Sequence, residues 1–338
     1  MEMRLLGKSG LGVSTLSFGA MTFGGDGMFS MVGRTQEEEA KRLIDLCLDA
    51  GINLFDTADA YSAGRSEEIL AHALSDRRHQ VVIATKAWGR TGKGPNDLGA
   101  SRLHLVQACE ASLKRLNTDY IDLYQLHGFD GMTPLDETLR ALDDLISAGK
   151  VRYIGCSNYA GWQLMKALAA ADAAGYERYI SHQLYYSMIG RDAENDLLPL
   201  GVDQGVGTLV WSPLAFGLLS GKFRRGKPDP EGARGTLAGA PGGGIDRERL
   251  DTATDALAAV AEARGVTMAQ VALNYLLRKK GVTTLIIGAR DEAQLVDNLA
   301  AASWSLSDEE LKVLDDASAV KPPYPQWAQR SVFSERNP

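Results

Sequence analysis

Chemistry-bearing side chains recur at one kind of place along this chain, where short apolar runs end. Asp56 closes the run 52–56, Lys86 closes 81–86 and His127 closes 120–127. Ser157 closes 151–157 and is followed by Asn158. Gln183 lies in 179–184, Trp211 and Ser212 close 207–212, and Gly288 closes 283–288 with Arg290 just beyond. None of these positions offers a nucleophile with an attached base, and no His, Asp and Glu gather at metal-ligand spacing. There is no H-E-x-x-H, and Gly7-Lys8-Ser9 lacks the upstream glycine of a phosphate-binding loop. His182 is the other histidine near a run's end, and its neighbour Gln183 competes with it for the inward position. What remains is a proton-donor network, in which Tyr61 shares one mouth with Lys86, Asp56 and His127.

Those side chains need a scaffold that gathers strand ends on one face. The apolar runs are 15–19, 52–56, 81–86, 120–127, 151–157, 179–184, 207–212 and 283–288, each of strand length. Between most of them lie helical patterns such as Leu43, Ile44, Leu46, Cys47 and Ala50. Thr35 to Glu38, Thr133 to Asp136, Thr267 to Gln270 and Ser307 to Glu310 fit helix N-termini, the second with Pro134 at the first helical position. Gly51, Gly149, Gly175 and Gly281 sit where helices should stop. Eight strands alternating with helices predict an α/β fold, a (β/α)8 TIM barrel of the usual ~250 residues plus additions. The additions are an N-terminal β-hairpin over 3–13, a long Gly/Pro/Arg-rich loop after strand seven (217–245) and a C-terminal tail (319–338). The whole of 1–338 reads as one domain. The rival, a doubly wound sheet with a dinucleotide crevice, lacks its G-x-G-x-x-G.

Composition narrows the class. The chain has 338 residues, 45% of them apolar, enough for a large core and incompatible with a disordered tail or a stapled miniprotein. Its 36 basic against 43 acidic residues leave a net charge of −7, which argues against a nucleic-acid partner. Cys47, Cys109 and Cys156 are odd in number and form no C-x-x-C, which points to a reducing, cytoplasmic compartment. Met1 to Gly10 carries Glu2, Arg4 and Lys8 with no apolar h-region, so no signal peptide is expected. No run reaches the ~18 apolar residues of a membrane helix.

The motifs run in a recognisable order: Asp56-Thr-Ala-Asp-Ala-Tyr61-Ser-Ala-Gly64-Arg-Ser66-Glu67, Ala84-Thr-Lys86, and Leu113 through Asp119-Tyr-Ile-Asp122-Leu-Tyr-Gln-Leu-His127. Gly149-Lys-Val-Arg-Tyr-Ile-Gly155-Cys-Ser157-Asn158, Trp211-Ser-Pro-Leu-Ala-Phe-Gly217 through Lys222, and Ile287-Gly288-Ala-Arg290 with Gln294 and Asn298 follow. In these strings, from the hairpin to the eighth helix, the chain resembles the aldo-keto reductases. The resemblance implies NADPH-dependent reduction of an aldehyde or ketone, with Asp56, Tyr61, Lys86 and His127 as the catalytic tetrad.

Elementary chemistry agrees with that set. Hydride transfer to a carbonyl makes an alkoxide, so a donor is needed where charge develops. A phenol of ordinary pKa near ~10 is a reluctant acid. A close Lys86 ammonium should stabilise the phenolate and lower that value, with Asp56 holding the ammonium charged. His127 would donate to the substrate oxygen and fix its angle.

The resemblance also carries over cofactor positions. Ser157, Asn158 and Gln183 would meet the nicotinamide carboxamide, with Trp211 stacked on the ring, and Gly19 and Met21 beside it. The loop of Ser212, Pro213, Leu214, Gly217, Leu218, Ser220 and Lys222 would follow the pyrophosphate. Gly288, Arg290, Gln294 and Asn298 would take the adenosine end, Arg290 favouring a 2′-phosphate and so NADPH over NADH. Substrate would be walled by Phe23, Met28, Phe29, Trp88, Phe129, Tyr324 and Trp327. The family often has an aromatic directly after its histidine, whereas this chain reads His127-Gly128-Phe129.

Taken singly, each of these residues has an ordinary reading: Asp56 as a helix cap, Lys86 as a solvated charge, His127 and Trp211 as packing. Their joint order on one face is what favours function. The rival class is a nucleotide-binding regulatory or sensor subunit resembling potassium-channel β subunits, which keeps the cofactor site. A small carbonyl compound is the expected partner, with no metal, nucleic acid or membrane, and the chain is a monomer or homo-oligomer.

Overall fold

The computed structural model describes residues 1–26, 33–228, 246–332 and 335–336. The chain opens with an antiparallel hairpin, β1 (Met3–Leu5) and β2 (Gly12–Ser14), Met3 opposite Ser14. Eight parallel strands then follow in order: β3 (Leu16–Gly19), β4 (Leu54–Asp56), β5 (Val82–Ala87), β6 (Ile121–Leu126), β7 (Val151–Ser157), β8 (Ser181–Tyr185), β9 (Gly207–Trp211) and β10 (Val282–Ile287). Each pairs with the next and β10 pairs with β3, so the sheet closes as the predicted (β/α)8 barrel. Strand limits lie within two residues of the predicted runs. β5 is buried along its whole length because helices cover one face and the barrel interior the other.

The helices between strands are α1 (Glu37–Asp49), α2 (Arg65–Leu74), α3 (Arg102–Arg115), α4 (Leu135–Ser147), α5 (Gly161–Ala174) and α6 (Leu197–Gln204). β9 is followed by α7 (Arg247–Arg264) and α8 (Met268–Leu277), and β10 by α9 (Glu292–Ala300), α10 (Asp308–Ala317) and α11 (Gln326–Val332). Thr267 caps α8 and Ser307 forms a capping box with Glu310 on α10, as the sequence pattern predicts. Gly51, Gly149, Gly175 and Gly281 all adopt the expected left-handed backbone.

Two expected helix starts are corrected. Helix α1 begins at Glu37 with Gln36 in the cap position, while Thr35 is buried and bridges to Phe23. Pro134 precedes α4 instead of opening it, and Thr133 donates its hydroxyl to Asp130 at 2.7 Å. Thr35 is drawn into a backbone bridge with Phe23 and Thr133 into a side-chain bond three residues back, so neither is left to cap a helix.

The barrel interior has an apolar floor. Leu54, Val82, Ala84, Leu123, Leu209 and Ile286 point inward, and Leu6 and Val13 of the hairpin close the bottom on them. Gly7 seats this plug: at φ +63°, a Cβ there would lie 2.3 Å from the Gly205 carbonyl oxygen. Polar side chains stand above the floor, at the opposite mouth. Leu6→Ala is expected to cost about 2–5 kcal/mol in denaturant unfolding, as for other fully buried leucines; a loss below about 1 kcal/mol would show that the hairpin is not a structural plug.

Candidate active site

Asp56 ends β4 and Lys86 lies in β5, both turned into the barrel and buried. Lys86 Nζ donates to Asp56 Oδ1 at 2.5 Å, to the Thr57 carbonyl at 2.7 Å and to the Tyr61 hydroxyl at 3.4 Å. The second Asp56 oxygen accepts from the amides of Gln183 at 2.7 Å and Gln125 at 3.2 Å. An ammonium with 0% exposure is therefore compensated on every side, which such a charge requires.

The segment that carries Tyr61 continues the strand pairing, Thr57 N–H donating to Ala84 and Asp59 N–H to Lys86. Beyond it Ser62 and Ala63 take left-handed φ of 49° and 54°, a strained turn for residues with a Cβ. Ser62 offsets part of that cost. Its hydroxyl donates to the Phe23 carbonyl and accepts from Gly25 N–H, both at 2.9 Å. This clamp ties the Tyr61 turn to the loop after β3.

The electrostatics assign charge states. Burial works against the Lys86 charge, but Asp56 and Tyr61 outweigh it and hold the ammonium above its ordinary value. Burial pushes the Tyr61 phenol up, with Lys86 pulling it down by less. The expected lowering of Tyr61 is thus corrected in direction: desolvation of a phenolate exceeds the lysine's attraction. Tyr61 stands as a neutral phenol, a donor. His127 follows β6 with its ring edge-on to Tyr61, 5.6 Å between centroids. Burial, then the Lys86 charge, depress its pKa to about 3, so at neutral pH it is an uncharged imidazole with one N–H to give.

The other expected residues rim the same mouth. Asn158 links two strands, its amide donating to the His127 carbonyl at 3.0 Å and its oxygen accepting from Trp211 Nε1 at 3.1 Å. Ser157 is buried and its hydroxyl has no partner among the described residues. Trp211 packs on Tyr185 and Phe216, with centroids 5.0 and 6.0 Å away. Ser212 accepts from Phe216 N–H, Pro213 and Leu218 are buried, Leu214 and Ser220 are half-buried, and Lys222 is exposed. Gly217 at φ +91° has no atom of the described residues, its chain neighbours aside, within 4 Å of where a Cβ would stand. At Gly288 the nearest such atom is the Gly19 carbonyl oxygen at 4.0 Å, and Met21 lies half-buried beyond Gly19.

Past β10, the helix opens at Glu292 rather than at Arg290. Asp291 caps it by accepting from Gln294 N–H, and Gln294 takes the Arg290 N–H. Asn298 is buried and donates weakly to the Gly288 carbonyl at 3.4 Å. The Arg290 side chain is exposed and has no hydrogen bond or ion pair among the described residues.

The expected substrate wall divides. Phe23 is fully buried against Phe18, so it belongs to the core and offers no face to a slot. Trp88 is part-exposed at φ +126° and would meet a Cβ at Gly128 at 3.3 Å, so the missing side chain after His127 lets the indole lie on that loop. Phe129 packs edge-on against Tyr159 and Trp162. Tyr324 and Trp327 are exposed and pack on each other, while α11 reaches the segment between β8 and α6 through Gln326, which donates to the Asn195 carbonyl. Met28, Phe29 and residues 229–245 lie outside the described residues.

Gln125, Tyr185, Phe216 and Ser62 escaped the sequence reading. Period-two alternation was the available signal for the first two, Gln125 preceding His127 and Tyr185 following Gln183 on the same strand face.

The aldo/keto reductase family profile matches residues 15–319. The chain belongs to the aldo/keto reductase family. It is 39% identical over 310 residues to a probable voltage-gated potassium channel subunit beta of Arabidopsis thaliana, covering 89% of this chain and 91% of that one. It is 39% identical over 327 residues to the uncharacterized oxidoreductase YrpG of Bacillus subtilis, covering 94% and 95%. It is 34% identical over 352 residues to versiconal hemiacetal acetate reductase of Aspergillus parasiticus, covering 96% and 99%. Aldo-keto reductase membership and oxidoreductase relatives support an oxidoreductase.

Asp56→Ala is expected to destabilise the protein by about 3–5 kcal/mol, because Lys86 is left buried and uncompensated, and adding Lys86→Met should recover most of it. Denaturant midpoints of the single and double variants measure this. A double variant no more stable than Asp56→Ala would contradict the buried-charge account.

Proposed function

We propose that this aldo-keto reductase reduces a small aldehyde or ketone to the alcohol with NADPH, Tyr61 acting as general acid. One observation carries the reading: the neutral Tyr61 hydroxyl stands 3.4 Å from a fully buried Lys86 ammonium that Asp56 holds in place. NADPH, when bound, supplies a hydride to the carbonyl carbon. The carbonyl oxygen then needs a proton, and Tyr61 gives it from the hydroxyl. Lys86 stabilises the phenolate left behind, and water restores its proton on product release. His127, uncharged, donates one hydrogen bond to the same oxygen and sets its angle. In the oxidation direction the Tyr61 phenolate is the base.

The donor set fits a dinucleotide. Ser157 has a buried hydroxyl in need of a partner, and Gln183, fixed through its NH2 on Asp56, keeps its oxygen for a carboxamide. Trp211, Tyr185 and Phe216 offer aromatic faces for the ring. The open backbone at Gly217 and Gly288 suits close approach of phosphates. Asp291 already answers part of the helix N-terminus, so a 2′-phosphate would rest on the Arg290 guanidinium. Trp88 and Phe129 wall the substrate side. Three buried, reduced cysteines support a cytoplasmic setting.

A second reading is favoured by the names of channel-subunit relatives such as the Arabidopsis one: a nicotinamide-nucleotide-binding regulatory subunit with channel partners. Steady-state NADPH oxidation over a panel of carbonyls separates the two. Turnover is expected, and tight NADPH binding with no turnover on any carbonyl would favour the regulatory reading. Tyr61→Phe should lower kcat by about 10²–10⁴-fold with NADPH Kd unchanged; full activity in that variant would overturn the acid's assignment. Arg290→Ala should weaken NADPH by roughly 10–100-fold and leave NADH nearly unaffected, the worth of hydrogen bonds to a charged group. A wild-type preference for NADH would contradict it.

A further inference from the structure

Asp59 lies between Asp56 and Tyr61 and is 2% exposed, yet among the described residues neither of its carboxyl oxygens has a hydrogen-bond partner. Only the N–H of its own neighbour Ala60 leans toward it. Thr85, next to the inward-turned Lys86, faces the helix side of β5, and its partner Glu67 bears on Asp59 from there. Glu67 of α2 faces Asp59, fully buried, accepting from Thr85 Oγ1 at 2.6 Å and from Arg115 Nε of α3 at 2.6 Å. The charges and titratable groups that bear on Asp59 are thus Glu67 from α2, Arg115 from α3, Lys86 from β5, and the Tyr61 and Tyr124 phenols.

The charge count is uneven. Asp56 is matched by Lys86, and Glu67 is matched by Arg115, which leaves no cation for Asp59. An ionised carboxylate without donors in a dry site is far costlier than the neutral acid. Two donors, one of them the Arg115 guanidinium, reach Glu67 and none among the described residues bonds the Asp59 side chain, so Asp59 keeps the proton.

We propose that Asp59 is a positioning residue, seated as the neutral carboxylic acid, and that its ionisation lifts the 57–61 segment and unseats Tyr61 from Lys86. The link is covalent and short. Asp59 N–H donates to the Lys86 carbonyl and Tyr61 N–H to the Ala58 carbonyl, both at 3.1 Å, so the turn that holds the phenol is also the turn that buries Asp59. Ala60 is half-exposed, so a charged Asp59 reaches water by lifting this turn. Burial, and next the Glu67 charge, raise the Asp59 pKa to about 7, so the transition falls in the neutral range. Tyr61, pushed above 10.0, and His127, pushed down to about 3, titrate well to either side. A transition near neutrality in kcat therefore isolates Asp59.

The sign of the stability effect follows. The native state holds a proton on Asp59 that the unfolded chain, with the ordinary value of 3.8, has released. Stability contributed by this site falls as pH rises from about 4 to about 7 and stays low above.

The proposal rests on the reductase reading, and its test has an arm that does not. kcat at saturating substrate and cofactor is measured from about pH 5 to about pH 9 for wild type and Asp59→Asn. Wild type should fall by roughly tenfold per pH unit above the transition until it reaches a plateau, and Asp59→Asn should stay flat. Independently of turnover, melting temperature against pH should show Asp59→Asn gaining on wild type between about pH 4 and about pH 7 and keeping that gain above. Glu67→Gln, which removes the facing negative charge and frees Arg115, should move both transitions to lower pH. Coincident melting curves for wild type and Asp59→Asn would overturn the proposal whether or not any carbonyl is reduced. Divergent melting with coincident kcat profiles would overturn the positioning of Tyr61. An upward or absent shift in Glu67→Gln would overturn the charge count.

Discussion

An ammonium group sealed from water is a demand on everything around it. Lys86 meets that demand through Asp56, the Thr57 carbonyl and the Tyr61 hydroxyl, and Asp56 in turn is gripped by Gln125 and Gln183. Lys86 stands on β5 and these partners come from β4 and the segment just beyond it, from β6 and from β8, so the charge is satisfied only when these strands pack in register. The apolar floor beneath them keeps the local dielectric low, which strengthens every contact in the cluster. Chemistry and fold are therefore coupled through one ion pair.

The same environment separates two carboxyls on one short segment. Asp56 faces the interior and meets a cation and two amides. Asp59 faces outward and meets another carboxylate across an arginine that is already engaged. A dry site with donors keeps a carboxylate ionised, and a dry site without them keeps it protonated. Tyr61 sits at the end of this segment, held by a strained turn that Ser62 clamps to the loop after β3.

Much of this was legible from residue order. Eight apolar runs with glycine stops specified the barrel, because parallel strands covered on both sides must be continuously apolar. Asp56, Lys86 and His127 were visible as strand-end residues with Tyr61 just beyond the second run, and the family resemblance gave the four their roles. Less was legible where tertiary contacts override local signals. Thr35 and Thr133 look like helix caps, yet one bridges Phe23 in the loop after β3 and the other bonds Asp130. Phe23 reads as a loop aromatic and is core. The direction of the Tyr61 shift could not be read from type and spacing, since it depends on how much burial opposes Lys86. Gln125 and Tyr185 followed the alternation but carried no motif to single them out.

The account's central claim is that these residues deliver a proton to an oxygen whose carbon receives hydride directly. Single-turnover reduction of an aldehyde by NADPH deuterated at the transferring C4 position, followed by NMR of the alcohol, tests it most directly. The account requires the deuterium on the former carbonyl carbon with none lost to solvent. An alcohol without that label, or no alcohol from any aldehyde offered, would contradict it.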